Sequence, residues 1–240
     1  MMPRRPRAVA AVVTLAVCVA ATTACESEGR PGVRRAEPLS EAELMSVLPA
    51  EKAFPGYTVR PRAADAPPSP ARTGSELAPG SPEECRALVD FEIDHGLRHR
   101  PTARVLADVS RRGDTSGRRE KADFAKFHSV ALSSYTVEEA SAVMDSLKKA
   151  VPLCGTFLVY TLSYGDQDAR IRVGERPAPA AGDDAVSFDW TVPDIPMNET
   201  VPVTLVRTGG VIASYSGAVP AGIPQRQHGR LRAFLSGSGG

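Results

Sequence analysis

The chain has 240 residues, of which 42% are hydrophobic, 24% charged and 5% aromatic, enough to bury the core of one large or two small domains. Gly and Pro together make up about 17% of it, below the level at which disorder is the default. The formal charge is +1, and once the basic N-terminus is set aside the remainder is slightly acidic, which argues against a dedicated nucleic-acid binder.

Arg4, Arg5 and Arg7 open the chain, residues 8–21 form an uncharged apolar run, and the small residues Thr22, Thr23 and Ala24 precede Cys25. This is the pattern of a secretory signal peptide over residues 1–24, too short and too Ala-rich for a spanning helix. A Cys directly after small residues resembles a bacterial lipobox. Cleavage before Cys25 would leave its thiol to carry a diacylglycerol, a reaction that needs a nucleophilic thiol at the cut and small side chains before it. Thr22, where Leu is most usual, departs from that pattern. Cys18 is a weaker candidate because Val17 fits poorly before a cut. A fully secreted chain with an incidental Cys25, and an uncleaved anchor, are the alternatives. Removing Cys18 and lipidating Cys25 leaves Cys85 and Cys154. An even pair in an exported chain is most simply one disulfide, and closing a ring of about 70 residues would contribute roughly 4 kcal/mol in the chain-entropy account. A redox thiol is the alternative, without a C-x-x-C to support it.

Residues 25–38 are polar, contain Pro and Gly and lack apolar periodicity, so they read as a flexible tether. The folded body is expected over residues 39–236. Ser40 and Glu43 form a capping box, with Leu44, Val47 and Leu48 as a short helical stripe before Pro49. Residues 60–82 are rich in Pro, Ala and Ser and read as a surface loop. Ser81 and Glu84 give a second capping box with Pro82 at the first helical position, and Cys85, Leu88, Val89 and Ile93 give that helix an apolar face. Residues 102–110 and 122–134 look like strands joined by a basic loop. A third capping box, Thr136 with Glu139, opens the most periodic helix, where Ala140, Val143, Met144, Leu147 and Val151 share a face before Pro152 stops it. Strands follow over residues 156–164, briefly at Ile171 and Val173, and over 186–192, where Val186, Phe188, Trp190 and Val192 alternate with polar residues. Residues 201–207 and 211–216 flank Gly209-Gly210, a hairpin signal. A helix over 224–235 closes the body with Leu231, Phe234 and Leu235. The prediction is an α+β fold, mainly antiparallel, as a single domain with packed helices and one disulfide.

Few residues gather into a reactive pattern. Ser146-Leu147-Lys148-Lys149 matches S-x-x-K, in which a lysine activates a serine nucleophile. Arg207-Thr208-Gly209 imitates the later K-T-G strand, but it follows too closely and no convincing S-x-N lies between. Lys148 and Lys149 read more simply as cations at a helix C-terminus. His95 and His99 have zinc spacing, although Gly96 interrupts the helix and H-E-x-x-H lacks its Glu; His128 and His228 stand apart. Asp166 with Asp168, and Asp183 with Asp184, read as turn residues rather than a calcium loop. Arg111, Arg112, Arg118, Arg119 and Lys121 make a basic hairpin tip that could meet anionic headgroups or wall polymers. Tyr160, Tyr164, Phe188, Trp190 and Tyr215 are the sheet positions to inspect first for a ligand, with core packing as the simpler role. No catalytic, metal-binding or ligand-binding residue is assigned, and no cofactor is expected.

The order of these features resembles the actinobacterial lipoproteins that share the extracellular sensor domain of the mycobacterial Ser/Thr protein kinase H. The elements that carry the resemblance are Cys85 in an early helix, the helix led by Thr136-Val137-Glu138-Glu139 and closed by Cys154, Gly182-Asp183-Asp184-Ala185-Val186 opening a strand, and residues 205–213 as a late hairpin. It covers roughly residues 39–236. The resemblance implies a mixed sensor or binding domain with an antiparallel sheet and a cleft, on the outer side of the membrane, without known catalysis. The kinase's sensor domain carries two disulfides, whereas this body has cysteines for one. The expected function is therefore a lipid-anchored extracytoplasmic ligand-binding or sensor lipoprotein that is not an enzyme. The alternative is a carrier of a lipid or other apolar molecule at the cell envelope. Its partners would be the membrane, through the lipid, and an unidentified small-molecule or protein ligand, with no nucleic acid.

Overall fold

Alternating apolar residues and the four segments with helical periodicity organise the sheet and its helices. A computed structural model describes residues 37–49, 54–62, 75–93, 99–112, 126, 129–161, 167–193 and 200–237. These all lie in the second of two units into which the chain divides, Met1–Arg30 and Pro31–Gly240. The strands are β1 (Tyr57–Pro61), β2 (Ser75–Leu77), β3 (Ala103–Arg111), β4 (Ser129–Ser134), β5 (Thr156–Thr161), β6 (Gln167–Arg176), β7 (Asp184–Thr191), β8 (Thr200–Thr208) and β9 (Val211–Ser216). The helices are α1 (Glu41–Val47), α2 (Arg86–Ile93), α3 (Val137–Leu153) and α4 (Gly222–Leu235).

All nine strands join one sheet in the order β1-β3-β4-β9-β8-β7-β6-β5-β2, and each neighbouring pair is antiparallel. Helix α3 carries the chain from β4 out to β5. The meander β5 to β9 then walks back and lays β9 beside β4. The α+β, mainly antiparallel expectation is met.

The period-2 alternation of strands decides which layer each side chain joins. Val203 and Leu205 of β8 and Ile212 of β9 face a core shared with α2 and α3. Val206 of β8 and Val211, Ala213 and Tyr215 of β9 face the opposite core, with α1 and α4. Helix α3 lies against β6 to β9 and α2 against β2, while α1 lies against β3 and β4 and α4 against β8 and β9. The two helical layers are therefore offset on opposite faces and overlap at β8 and β9.

Local chemistry fixes the helix starts. Ser40 and Thr136 each accept the N3 amide, and Glu43 and Glu139 each accept the N-cap amide, as the sequence predicts. The Leu39 amide donates to the buried Ser134 hydroxyl at 2.6 Å. Gln227 Nε2 donates to the Val47 carbonyl at 3.0 Å, locking α4 to the end of α1.

Several expectations need correction. Residues 60–82 are not simply a loop: Arg60 and Pro61 belong to β1, and Ser75–Leu77 forms β2. These are the two edges of the sheet, where a proline is tolerated because one side of the ladder is unused. The Ser81 capping box does not form. The Ser81 hydroxyl donates to the Leu158 carbonyl and accepts the Leu158 amide, so it splices the chain to β5 instead. Pro82 stays extended, and a 3-10 turn at Glu83–Cys85 leads into α2. Strand β6 is long, not a short strand around Ile171 and Val173, and it takes in Asp168. Of the expected strand over 122–134, β4 occupies the end, and Lys126 makes an isolated parallel bridge to Ala218. Pro152 sits inside the last turn of α3, so Lys148 and Lys149 are not in that turn. Lys148 instead pairs with Asp184 of β7 at 2.5 Å.

Cys85 and Cys154 form the disulfide, with Cα atoms 5.6 Å apart, and both are buried. The bond ties the entry of α2 to the exit of α3. At the other end of α3, the Tyr135 amide donates to the Gly210 carbonyl at 2.8 Å. A Cβ at position 210 would lie 2.4 Å from the Tyr135 carbonyl oxygen, so the β8–β9 turn needs glycine there for close approach. Replacing both cysteines by alanine is expected to remove about 4 kcal/mol of stability, read by equilibrium urea unfolding. Gly210→Ala is expected to cost roughly 1–3 kcal/mol by overpacking and to shift the Tyr135 resonances in amide NMR spectra, which Gly229→Ala, in open space, does not.

Candidate functional site

The offset of the helical layers produces a wedge between α2, α3 and the sheet, enclosing an open cavity of about 250 Å³. Its floor is set by strand register. Arg104 of β3 lies opposite Ser133 of β4, and Ser133 opposite Ile212 of β9. In the adjoining row Ser214 of β9 lies opposite Leu205 of β8. From β3 to β8 is three strand spacings, roughly 14 Å. Across that width the floor changes from a guanidinium and hydroxyls to aliphatic side chains.

The walls come from the helices. Val143, Ser146, Leu147 and Lys149 line the cavity from α3, and Ala87, Asp90 and Phe91 from α2. Phe91 packs edge-on against the buried Phe188 of β7, ring centroids 6.3 Å apart, which fixes that wall. Glu83, Glu84 and Arg86 also line the cavity, the two glutamates exposed and the arginine half-buried. Arg86 Nε and Nη2 donate to the two Glu83 carboxylate oxygens at 2.7 and 3.0 Å. That hydrogen-bonded ion pair raises the Arg86 pKa against a small desolvation. His99, Pro101 and Tyr135 complete the lining. Burial pushes the Tyr135 phenol above its ordinary range; Arg104 and a hydrogen bond with Ser133 oppose the rise, and Glu139 adds to it.

The S-x-x-K pair does reach this cavity, since Ser146 and Lys149 both line it. The Ser146 hydroxyl, however, donates to the Ala142 carbonyl at 2.8 Å, so its proton is directed at the helix backbone. His99 lines the cavity, whereas His228 is on the opposite layer; His95 and His128 lie outside the described residues. Among the described residues no group of three or more His, Cys, Asp or Glu side chains could hold a metal ion. No described helix is long and apolar enough to cross a membrane. Cys25 lies outside the described residues, as do Arg118, Arg119, Lys121, Tyr164 and Asp166. Arg111 and Arg112 are exposed at the end of β3. Asp183 is a turn residue, as expected, and its carboxylate accepts the Gly209 amide at 2.7 Å, whereas Asp184 is not in the turn but opens β7.

The aromatic positions of the sheet do not converge. Phe188 and Tyr215 are fully buried in opposite cores. Tyr215 has its phenol pushed far up by desolvation. Trp190 packs edge-on against Phe157 at 5.9 Å, and Tyr160 is half-buried on β5. None of these four lines the cavity. Arg104, Ser133, Tyr135 and Ser214 do, and the sequence analysis singles out none of them. A signal was present: Arg104, Leu106 and Asp108 alternate with Val105, Ala107 and Val109, so β3 has one apolar face and one mixed face.

No family model matches the chain, and no curated protein matches it. Among solved structures it is similar to the extracellular domain of PknH from Mycobacterium tuberculosis, at 14% identity and a TM-score of 0.44, over 85% of this chain and 97% of that one. The likeness is distant, and no residue role is carried across it.

On the opposite face His228 Nδ1 lies 2.8 Å from the hydroxyl of the buried Thr208. Burial lowers the His228 pKa below its usual 6.5; Asp183 opposes this and Arg232 adds to it. The unfolded chain therefore binds the proton more readily, and stability falls as pH drops through 6.5 toward the folded value, then levels. Urea unfolding at pH 7.5 and 5.5 is expected to show this loss, and His228→Gln to reduce it.

Proposed function

We propose that the chain is a lipid-anchored, extracytoplasmic ligand-binding or sensor module without catalytic activity, and that the wedge above β3, β4, β9 and β8 is its ligand site. The observation that carries the reading is the open cavity of about 250 Å³ beside two well-packed cores, with apolar walls and convergent polar groups. Apolar lining with a few placed polar groups is the usual make-up of a small-molecule site. The anchor at Cys25 and the signal peptide over residues 1–24 rest on the sequence pattern. The buried disulfide is in keeping with an oxidising compartment. The non-enzymatic reading is supported by Ser146, whose hydroxyl is engaged with its own helix.

A second reading, a carrier of a lipid or other apolar molecule, draws on the aliphatic end of the cavity around Val143, Leu147, Leu205 and Ile212. The volume falls just below the roughly 300–1,000 Å³ of drug-sized sites, and the lining carries exposed charges. Both features favour a small, partly polar ligand over a long-chain lipid.

Native mass spectrometry of the exported Cys25→Ser chain, purified without detergent, tests the pair. A bound small polar molecule released on denaturation supports the first reading, and a bound long-chain lipid promotes the second. An apo mass with no cavity response to added ligands removes the small-molecule site. Fatty-acid labelling of the wild-type chain, lost in Cys25→Ser, tests the anchor separately.

A further inference from the structure

We propose that the ligand of this cavity is a small acidic amphiphile: a carboxylate or phosphate head seated at Arg104 and a short apolar tail inserted under α3. This deepens the ligand-binding reading and rests on it. The argument is the polarity gradient fixed by register. At the β3–β4 end, Arg104, Ser133 and the Tyr135 hydroxyl stand together. Tyr135 and Ser133 share one hydrogen bond, so the pair has one further hydroxyl proton to offer an acceptor-rich head beside the Arg104 guanidinium. At the β9–β8 end, Leu205 and Ile212 form the floor, with Val143, Leu147 and Phe91 as walls.

A guanidinium recognises carboxylates and phosphates through charge-assisted, often bidentate hydrogen bonds, whichever of the two the head carries. Two of the three acids that line the cavity are exposed to solvent. Glu83 and Glu84 are exposed, and Glu83 is held by Arg86. Asp90 is half-buried on α2, and Lys149 is exposed on α3. Charges exposed to solvent are screened by water and salt, whereas a guanidinium on the floor acts at short range in a lower dielectric. The floor therefore sets the sign of the head, and the small volume limits the tail.

The test uses the full chain with Cys25→Ser, titrated with octanoate, octyl phosphate, octylammonium and inorganic phosphate. Calorimetry gives affinity, and amide NMR shifts locate the site. Octanoate or octyl phosphate is expected to bind and to shift the Ser133, Tyr135 and Ser214 amides, with octylammonium and inorganic phosphate at least tenfold weaker. Arg104→Gln is expected to weaken the acidic amphiphile at least tenfold in a chain that still unfolds in one cooperative transition. The octylammonium comparison needs no variant and stands even if Arg104→Gln misfolds. Equal or tighter binding of octylammonium at these amides overturns the acidic head while the cavity survives as a ligand site. Octanoate binding intact in a folded Arg104→Gln chain also overturns it. No cavity shift with any probe overturns the inference, and the native mass spectrum then decides separately whether the ligand-binding reading stands.

Discussion

Strands β8 and β9 are buried on both faces, and the rest of the architecture follows from that constraint. A sheet of this width cannot be covered on both sides by four helices. The chain instead places α3 over one face of β6 to β9, and α1 and α4 over the opposite face of β3, β4, β9 and β8. Only the overlap must be apolar twice, and there the sequence runs nearly unbroken, Val203 to Val206 and Val211 to Ala213. Outside it each strand needs a single apolar face. The other can be polar, and at β3 and β4 that freedom supplies the floor of the cavity.

The walls of the cavity are more firmly placed than the polar end of its floor. Helix α3 is fixed at both ends, by the Tyr135–Gly210 contact at its start and by Cys154 at its exit. Helix α2 shares the second tie through Cys85, and its Phe91 rests on Phe188, which lies in the core itself. Arg104, by contrast, projects from a strand that meets β1 on one side and β4 on the other. The apolar half of the site thus inherits the rigidity of the core, and the polar half that of a sheet margin. Under the proposed ligand-binding reading, shape selection belongs to the apolar half.

Much of this fold was legible in the sequence because its signals are local. The Ser40–Glu43 and Thr136–Glu139 boxes, the period of α3, the alternation of β7 and the Gly209-Gly210 turn each involve residues within a few positions of one another. What failed depended on distant partners. Ser81 has the composition of an N-cap, but its hydroxyl is used by Leu158, far along the chain. Strands β1 and β2 are short, and β1 ends in a proline; their strand character comes from the neighbours β3 and β5 rather than from their own residues. The site was the least legible part. Arg104, Ser133 and Ser214 become neighbours only through pairing between β3, β4 and β9, and each alone looks like an ordinary polar position on a strand. The cysteine pair was readable because counting, rather than proximity, identified it.

The place of β9 beside β4 has a consequence for how the chain reaches this structure. Ser129 and Ser216 are register partners, so β4 finds its inner neighbour only after the whole meander has been made. Until then the β1–β3–β4 group has an open backbone edge along β4, which carries Val130 and Leu132. Long-range closure of this kind is slow compared with hairpin formation, and an unpaired apolar strand edge invites pairing with other chains. During synthesis the hazard ends only near the C-terminus. Loss of the last strand and α4 would strand two half-sheets, each lacking the neighbour it needs to bury its inner edge.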